Sequence, residues 1–278
     1  MKKINRRSFL AAAGLTAAAL ALTACGGSAS STASSTASSA ASSEAASTSA
    51  AAELTTVEAG QLTMATNAAF PPYEMTTDAG EFEGIDIDTA KAIAEKLGLE
   101  LQIDDMDFDA ALLSVQQGKA DIVMAGVTVT DERKAVMDFS DSYATGIQSI
   151  IVPEGSDITS PDDLAGKKIG TQRGTTGYIY CSDDFGDDAV VAYDDGLTAV
   201  QALNNGQVDA VVIDNAPAKE FVAANPGLVI LDTSYAEEDY AIGLAKGSAL
   251  EDAVNAALEE LKADGTLQSI VDKYITAE

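Results

Sequence analysis

Only two arginines follow residue 53, Arg133 and Arg173, and lysine supplies the other basic side chains of that part of the chain. An arginine guanidinium is a rigid fork that binds a carboxylate or a phosphate through two parallel hydrogen bonds. Arg133 follows Thr130, a typical helix N-cap residue, by three positions, so we expect it in a first helical turn. A cation there is unfavourable for the helix dipole, which indicates either a ligand-binding role or an ion pair with a nearby aspartate.

Histidine is absent from the 278 residues, and 44 acidic side chains against 16 basic ones give a formal net charge of −28. Without histidine the chain has no Ser-His-Asp or Cys-His nucleophile and no histidine-ligated metal site. A chain this acidic repels phosphate backbones, so we expect no nucleic-acid partner. The two cysteines are too few for a disulfide framework. We predict no catalytic residue and no cofactor.

The aspartate-rich stretch Asp104–Asp109 is a candidate cation site. Counted from Asp105, the sixth position is Ala110 and the twelfth is Gln116. A calcium-binding EF-hand loop needs glycine and glutamate at those two positions. The stretch therefore does not fit an EF-hand, and we predict no metal site.

Strand and helix patterns alternate along the chain from residue 61 to residue 127. Gly98 and Gly118 directly follow the two predicted helices, as glycines at helix C-termini do. The order strand, helix, strand, helix, strand predicts a parallel sheet with helices on its faces. The predicted elements are, in order, Gln61–Thr66, Thr89–Leu97, Leu99–Ile103, Ala110–Gln117 and Asp121–Val127.

Residues 113–124 and 201–212 follow the same pattern: a helix, a glycine, an aspartate and then an apolar strand. This repeat predicts two similar α/β lobes. In the alignment of the two stretches, Gly126 and Asp214 both fall at the carboxyl ends of their strands. Open α/β sheets bind ligands at that edge. Two lobes whose strand ends face each other would form a ligand cleft.

Residues 1–24 are predicted to be a signal peptide. A basic stretch at residues 2–7 precedes the uncharged run Phe9–Leu22, which is shorter than the roughly 20 residues that span a bilayer. The end of the run, Leu22–Cys25, resembles the bacterial lipobox, in which the cysteine is lipidated and becomes the mature N-terminus. Residues 25–53 would then be the lipidated cysteine and a flexible tether rich in serine and alanine, since they lack side chains to bury.

The rest of the chain resembles the family of periplasmic-type amino-acid-binding proteins that serve ABC importers. The resemblance rests on motifs that follow one another in order: Phe70–Glu74, Gly84–Asp88, Gly118–Asp121, Thr128–Arg133, Asp138–Ser140, Asp163–Lys167, Gly174–Thr176, Val208–Val211 and Ala263–Thr266. It implies an α/β protein with a two-lobed periplasmic-binding-protein-like fold of type II. Two crossover strands would join the lobes, and the ligand cleft would lie between them. The first lobe would contain residues 54–150 and 241–278, and the second residues 151–240.

The same resemblance implies roles for individual residues. Arg133 would bind the α-carboxylate of an amino acid, together with the hydroxyl of Thr128 and the backbone N–H of Thr176. Asp214 would accept hydrogen bonds from the α-ammonium group, beside the carbonyl of Gly126. The predicted substrate-binding set is completed by two aromatic side chains that would enclose the ligand side chain and by two polar residues: Phe70, Phe108, Asn67 and Thr175.

Two positions bear on which amino acid would bind. Many members of the family carry aspartate at the position of Asn67, and its replacement here removes a charge that would suit a cationic ligand. Arg173 faces either the ligand side chain or solvent. The sequence therefore leaves cationic, acidic and polar uncharged amino acids open.

The resemblance implies high-affinity binding of a polar L-amino acid outside the cell and its delivery to an ABC permease with its ATPase. The protein would be a monomer without enzymatic activity, anchored through Cys25 to the outer face of the cytoplasmic membrane. Two alternatives remain. One is a dehydratase of the same fold that acts on cyclic acids, with Glu74 or Asp214 as general acid. The other is a ligand sensor for a signalling partner.

Overall fold

The computed structural model describes residues 54–275, which form a central mixed sheet, a small second sheet and the helices packed against them. The strands are β1 (Gln61–Thr66), β2 (Ala69–Phe70), β3 (Glu74–Thr76), β4 (Phe82–Glu83), β5 (Glu100–Asp105), β6 (Ile122–Val123), β7 (Met137–Pro153), β8 (Ile169–Gln172), β9 (Val190–Tyr193), β10 (Ala210–Asp214), β11 (Leu228–Ile230) and β12 (Ala236–Ala245). The helices are α1 (Ile85–Leu97), α2 (Phe108–Gln116), α3 (Asp131–Lys134), α4 (Thr176–Phe185), α5 (Gly196–Asn204), α6 (Asn215–Ala224), α7 (Glu251–Ala263) and α8 (Thr266–Tyr274).

The central sheet has the strand order β5-β1-β6-β12-β7-β10-β8-β9, and β11 pairs with β7. Strand β1 pairs in parallel with β5 and β6, and β8 pairs in parallel with β9 and β10. The long strands β7 and β12 lie between these two parallel groups and pair antiparallel with each other. Strands β2, β3 and β4 form the small sheet.

This topology confirms the predicted fold class, because two parallel α/β groups are joined by two crossover strands. Strand β7 is 17 residues long, and its register with β12 shifts between Tyr240 and Gly243. The lobe boundaries after residues 150 and 240 stay a prediction.

The internal repeat is a repeat of structure as well as of sequence. Asp121 accepts a hydrogen bond from the N–H of Thr63 at 2.8 Å, while its own N–H donates to the Thr63 carbonyl at 2.9 Å. Asp209 is bonded in the same reciprocal way to Lys168, at 2.7 Å in both directions. Through these hydrogen bonds, each aspartate links the start of the strand that follows it to a neighbouring parallel strand.

Four of the five predicted elements differ in extent from the observed ones: β5 and α2 by one or two residues at each end, and α1 and β6 by four residues at one end. Helix α1 begins at Ile85 rather than at Thr89, and its first turn contains two aspartates, which a helix N-terminus favours. Strand β6 contains only Ile122–Val123 instead of residues 121–127. The chain has left the sheet ladder before Gly126, which adopts a left-handed conformation with φ of 54°.

The C-terminal helices α7 and α8 pack against α1. Nζ of Lys96 lies 3.1 Å from a carboxylate oxygen of Glu260, and Nζ of Lys273 lies 2.7 Å from one of Asp88. The end of the chain therefore returns to its first α/β group, as the resemblance implies.

The predicted signal peptide (1–24) and the predicted lipidated Cys25 with its tether (25–53) lie outside the described residues. Among the helices between residues 54 and 275, none has the length and apolar composition required to cross a membrane.

Candidate functional site

A cavity with about 310 Å³ of atom-free space, part of it open to solvent, lies at the carboxyl ends of several strands of the central sheet. Twelve residues line the cavity, and the structure brings all nine predicted substrate-binding residues together there: Asn67, Phe70, Phe108, Gly126, Thr128, Arg133, Thr175, Thr176 and Asp214.

Arg133 supplies the positive charge of the cavity. Thr130 caps the four-residue helix α3 as predicted, because its hydroxyl oxygen accepts a hydrogen bond from the N–H of Arg133 at 3.2 Å. The guanidinium donates from Nη1 to the carbonyl of Thr128 at 2.7 Å and from Nη2 to that of Gly174 at 3.2 Å. It also lies 5.3 Å from the ring centroid of Phe108, a cation–π distance. Burial lowers the pKa of the guanidinium, yet arginine keeps its charge in proteins.

Asp214 ends strand β10 and supplies an acidic group to the same cavity. Its carboxylate accepts hydrogen bonds from the hydroxyl of Tyr240 and from Nε2 of Gln148, the latter at 2.8 Å. Burial raises the pKa of Asp214 to about 7, and the negative charge of Glu238 acts in the same direction, against the hydrogen bond from Tyr240. Asp214 therefore changes its protonation close to neutral pH.

Gly126 is required at its position by two independent constraints. Its φ of 54° is unfavourable for residues with a side chain. A Cβ atom there would also lie 2.9 Å from Cε1 of Phe70 and 3.4 Å from the ring of Tyr240. The N–H of Gly126 donates to Oδ2 of Asp86 at 3.0 Å, which fixes the peptide in the cavity wall.

The N-terminus of helix α4 also faces the cavity. Thr175 is the N-cap and accepts a hydrogen bond from the N–H of Tyr178 at 3.4 Å, and Thr176 is the first helical residue. The first N–H groups of a helix have no acceptor within the helix, and the helix dipole favours an anion beside them. Because both threonines line the cavity, this helix end and Arg133 attract an anion to the same space.

The amide of Asn67 is held in one orientation. Its Oδ1 accepts from Nε2 of Gln172 at 2.8 Å, and its Nδ2 donates to the carbonyl of Met106 at 2.9 Å. A carboxylate in place of this amide would set an oxygen against the Met106 carbonyl. The neighbouring carbonyl therefore gives a physical reason for asparagine at this position.

Three residues that line the cavity were not among the nine predicted ones: Glu74, Ala125 and Gln172. Gln172 ends strand β8, so the rule that ligands bind at strand carboxyl ends could have identified it. Glu74 was considered only as a general acid, and it lies in the short strand β3, to which that rule does not apply.

Glu74 is fully buried, and neither of its carboxylate oxygens has a well-formed hydrogen bond within residues 54–275. Burial raises the pKa of Glu74 well above its ordinary value, and the nearby charge of Asp86 raises it further. The cavity wall therefore contains a carboxyl group that lacks a charged partner of opposite sign.

Arg173 does not line the cavity. Its side chain is 55% exposed, and Nη2 lies 3.7 Å from a carboxylate oxygen of Asp194. Of the two positions considered for it, facing the ligand or facing solvent, the structure favours solvent.

A sequence profile of the bacterial extracellular solute-binding proteins, family 3, matches residues 62–277. The chain therefore belongs to this family of extracellular solute-binding proteins. The relatives of the chain that are named below are likewise binding proteins.

Individual relatives are similar over most of the chain. A probable histidine-binding protein of Neisseria gonorrhoeae is 32% identical over 99% of this chain and 98% of its own length. Among solved structures, the arginine-, lysine-, histidine-binding protein ArtJ of Geobacillus stearothermophilus is 34% identical with a TM-score of 0.75, over 78% of this chain and 96% of that one. An ancestral arginine-binding protein bound to glutamine is 43% identical with a TM-score of 0.75, over 78% of this chain and 99% of that one.

Proposed function

We propose that this protein binds L-arginine outside the cell and delivers it to the permease of an ABC importer. The charge pattern of the cavity carries the proposal: one cation, Arg133, and two carboxyl groups, those of Asp214 and Glu74. Arginine has the complementary pattern, since it contains one carboxylate and two cations. The names of ArtJ and of the ancestral protein support the same ligand class.

The ligand would be bound as follows. Arg133 and the N–H groups at the start of α4 bind the α-carboxylate, and Asp214 and the carbonyl of Gly126 bind the α-ammonium. A zwitterion that is shielded from water needs one fixed charge of each sign close by, and the cavity offers both. The side chains of Phe70 and Phe108 enclose the ligand side chain.

Glu74 favours a ligand whose side chain carries a positive charge. Within the described part of the chain, Glu74 has another acid, Asp86, as its side-chain hydrogen-bond neighbour and no partner of opposite charge, so its ionisation is costly and burial keeps its pKa high. A ligand guanidinium would supply the missing positive charge and favour the ionised carboxylate. The amides of Asn67 and Gln172, which also line the cavity, suit the flat array of guanidinium N–H groups.

L-glutamine is the second candidate. If Glu74 stays protonated, its O–H can donate to the carbonyl oxygen of a neutral ligand amide. The ancestral arginine-binding protein bound to glutamine is a relative in which a neutral ligand is recorded. The two candidates thus differ in the charge that Glu74 carries when the ligand is bound.

Calorimetric titration of L-arginine and L-glutamine into the wild type and into Glu74→Gln separates these candidates. We expect the wild type to bind arginine more tightly. Removing one partner of a buried ion pair costs about 2–5 kcal/mol, so Glu74→Gln should weaken arginine binding about 30-fold to several thousand-fold. Glutamine binding should change much less. The matched control is Glu81→Gln, an exposed glutamate of the same segment.

Tighter binding of glutamine than of arginine by the wild type would favour the second candidate. If Glu74→Gln weakened the affinity for both ligands equally, Glu74 would not distinguish a charged ligand side chain from a neutral one.

We also propose that Cys25 is lipidated and that the tether holds the binding protein beside its permease on the outer face of the membrane. The proposal is supported by the Leu22–Cys25 motif and by the composition of residues 25–53. Mass spectrometry of the mature N-terminus tests it. An unmodified N-terminus elsewhere in the tether would contradict it.

A further inference from the structure

Glu238 is a buried acidic residue of strand β12 that does not line the cavity. Its oxygen Oε2 accepts three hydrogen bonds of 3.0 Å each, from the hydroxyls of Thr128 and Thr176 and from Nε2 of Gln148. Gln148 donates through the same nitrogen to Asp214 at 2.8 Å. Glu238 is therefore bonded directly to two cavity residues and, through one amide, to a third.

The two threonines belong to different parts of the chain. Thr128 lies just before α3 and Thr176 begins α4, and they belong to the two different predicted lobes. Their hydroxyl oxygens come within 3.5 Å of each other. The carboxylate of Glu238, on a crossover strand, thus accepts a hydrogen bond from one hydroxyl on each side of the cleft.

The hydrogen bonds also settle what the two hydroxyls can do. A threonine hydroxyl has a single proton to donate, and each of these protons is given to Glu238. While these bonds are made, the two oxygens can act only as acceptors, so the Thr128 hydroxyl has no proton left for the ligand α-carboxylate, contrary to the role that the resemblance implies. Glu238 also makes the largest favourable charge interaction with Arg133. Its negative charge therefore stabilises the positive guanidinium, which burial disfavours.

We propose that Glu238 is a positioning residue for ligand capture, which holds the hydroxyls of Thr128 and Thr176 together when the cleft is closed. This inference rests on the proposed amino-acid-binding function. Opening of the cleft separates the two threonines, so at least one bond to Glu238 must break. Glu238 therefore favours closure without touching the ligand.

The first test compares the affinity of the wild type, Glu238→Ala and Glu238→Gln for L-arginine or L-glutamine, whichever the wild type binds more tightly. We expect Glu238→Ala to weaken binding at least tenfold. Glu238→Gln should recover part of the loss, because its amide oxygen still accepts from the hydroxyls. The matched control, Glu237→Gln, changes the exposed neighbour on the same strand and should bind as the wild type does.

A double-mutant cycle of Glu238→Ala with Thr176→Val separates positioning from a merely structural role. Residues of one hydrogen-bond network show interaction free energies of about 0.5–3 kcal/mol, equivalent to about twofold to a hundredfold in affinity. We expect Glu238→Ala to have a much smaller effect on affinity in the Thr176→Val protein. Additive effects on affinity would overturn the proposal.

A second measurement needs no ligand. Spin labels at Leu113→Cys and Ile179→Cys, two exposed sites on α2 and α4, report the distance across the cleft. Without added amino acid, Glu238→Ala should shift the distances to longer values than in the otherwise unchanged labelled protein. Identical distance distributions would overturn the proposal. If the wild type binds no amino acid, the proposed function fails, and these distances still decide the role of Glu238.

Discussion

The ring of Tyr240 lies directly against the backbone of Gly146. A Cβ atom at Gly146 would lie 2.5 Å from two carbons of that ring and 2.5 Å from the hydroxyl oxygen. The two residues belong to the crossover strands β12 and β7, and the hydroxyl of the same tyrosine donates to Asp214. Tyr240 therefore contacts the other crossover strand and also hydrogen-bonds to Asp214, the residue that we propose binds the ligand ammonium.

Gly146→Ala should therefore weaken both the fold and ligand binding. Tyr240 is fully buried and has little room to move, and overpacking of such a site typically costs about 1–3 kcal/mol. The displaced hydroxyl should also lose its hydrogen bond to Asp214. Urea unfolding and calorimetric titration measure the two effects.

Gly170→Ala is the matched control, because its Cβ would meet methyl groups of Val208 and Val211 at 3.2 Å and Cε2 of Tyr193 at 3.4 Å, and none of these residues lines the cavity. It should leave affinity unchanged. Wild-type affinity in Gly146→Ala would show that the contact with Tyr240 does not influence the site.

Arg133→Ala should abolish most of the affinity for an amino acid. Loss of one partner from a desolvated charge pair costs about 2–5 kcal/mol, or about 30-fold to several thousand-fold in the dissociation constant. Arg133→Lys should recover only part, because an ammonium cannot form the bidentate fork. Calorimetric titration of L-arginine and L-glutamine into each variant provides the measurement.

Arg173→Ala is the control, since it removes the other arginine of the described chain from an exposed position. It should bind as the wild type does. Binding by Arg133→Ala within threefold of the wild type would exclude a carboxylate-binding role for Arg133.

Affinity should rise with pH between pH 5 and pH 7 and level off above. Asp214 has a pKa of about 7, and only its ionised form pairs with an ammonium group, so binding at lower pH must release its proton. Glu238 and Tyr240 face the same carboxylate, and burial also raises the pKa of Asp86 to about 6 and that of Glu74. For L-arginine these neighbouring acids would steepen the dependence without changing its sign, whereas ionisation of Glu74 would oppose the binding of L-glutamine.

Titration calorimetry in two buffers of different ionisation enthalpy counts the released protons directly. Affinity that is constant from pH 5 to pH 8 without proton release would contradict this prediction. In the absence of ligand the sign reverses for stability. The unfolded chain ionises Asp214 near pH 4 and the folded protein near pH 7, so this group lowers the free energy of unfolding as pH rises between them.

The two repeated aspartates should differ in their contribution to stability. Asp121 is buried and accepts hydrogen bonds at 2.8 Å from the N–H groups of both Val57 and Thr63. Asp209 is exposed and accepts one, from Lys168. Hydrogen bonds to a charged group contribute about 1.5–3 kcal/mol, so Asp121→Ala should cost about 2–3 kcal/mol and Asp209→Ala about 1 kcal/mol. Urea unfolding without ligand compares them, and equal losses would contradict the prediction.

Much of the site could be predicted because its residues follow regular elements or belong to local motifs. Gly126 and Asp214 come after apolar runs that form strands, and the topology brings strand ends together. The place of Arg133 in a helical first turn left a ligand-binding role and an ion pair open, and the family resemblance implied the first. In each case a short stretch of sequence contains the signal.

Glu238 shows why the remainder could not be predicted. Its partners Thr128 and Thr176 lie 110 and 62 positions away, and no local pattern records that pairing. Strand β6 was also predicted too long, since its apolar run continues past Val123 while the sheet pairing does not.

The close packing of Tyr73 and Tyr240 has an optical consequence. The chain contains eight tyrosines and no tryptophan, so its ultraviolet emission comes from tyrosine alone. Tyr240 is bonded to Asp214, and its ring centroid lies 5.3 Å from that of Tyr73. A phenol that donates to a carboxylate fluoresces less than one that does not, so any change in this bond alters the signal. The protein thus contains a natural, label-free reporter next to its ligand cavity.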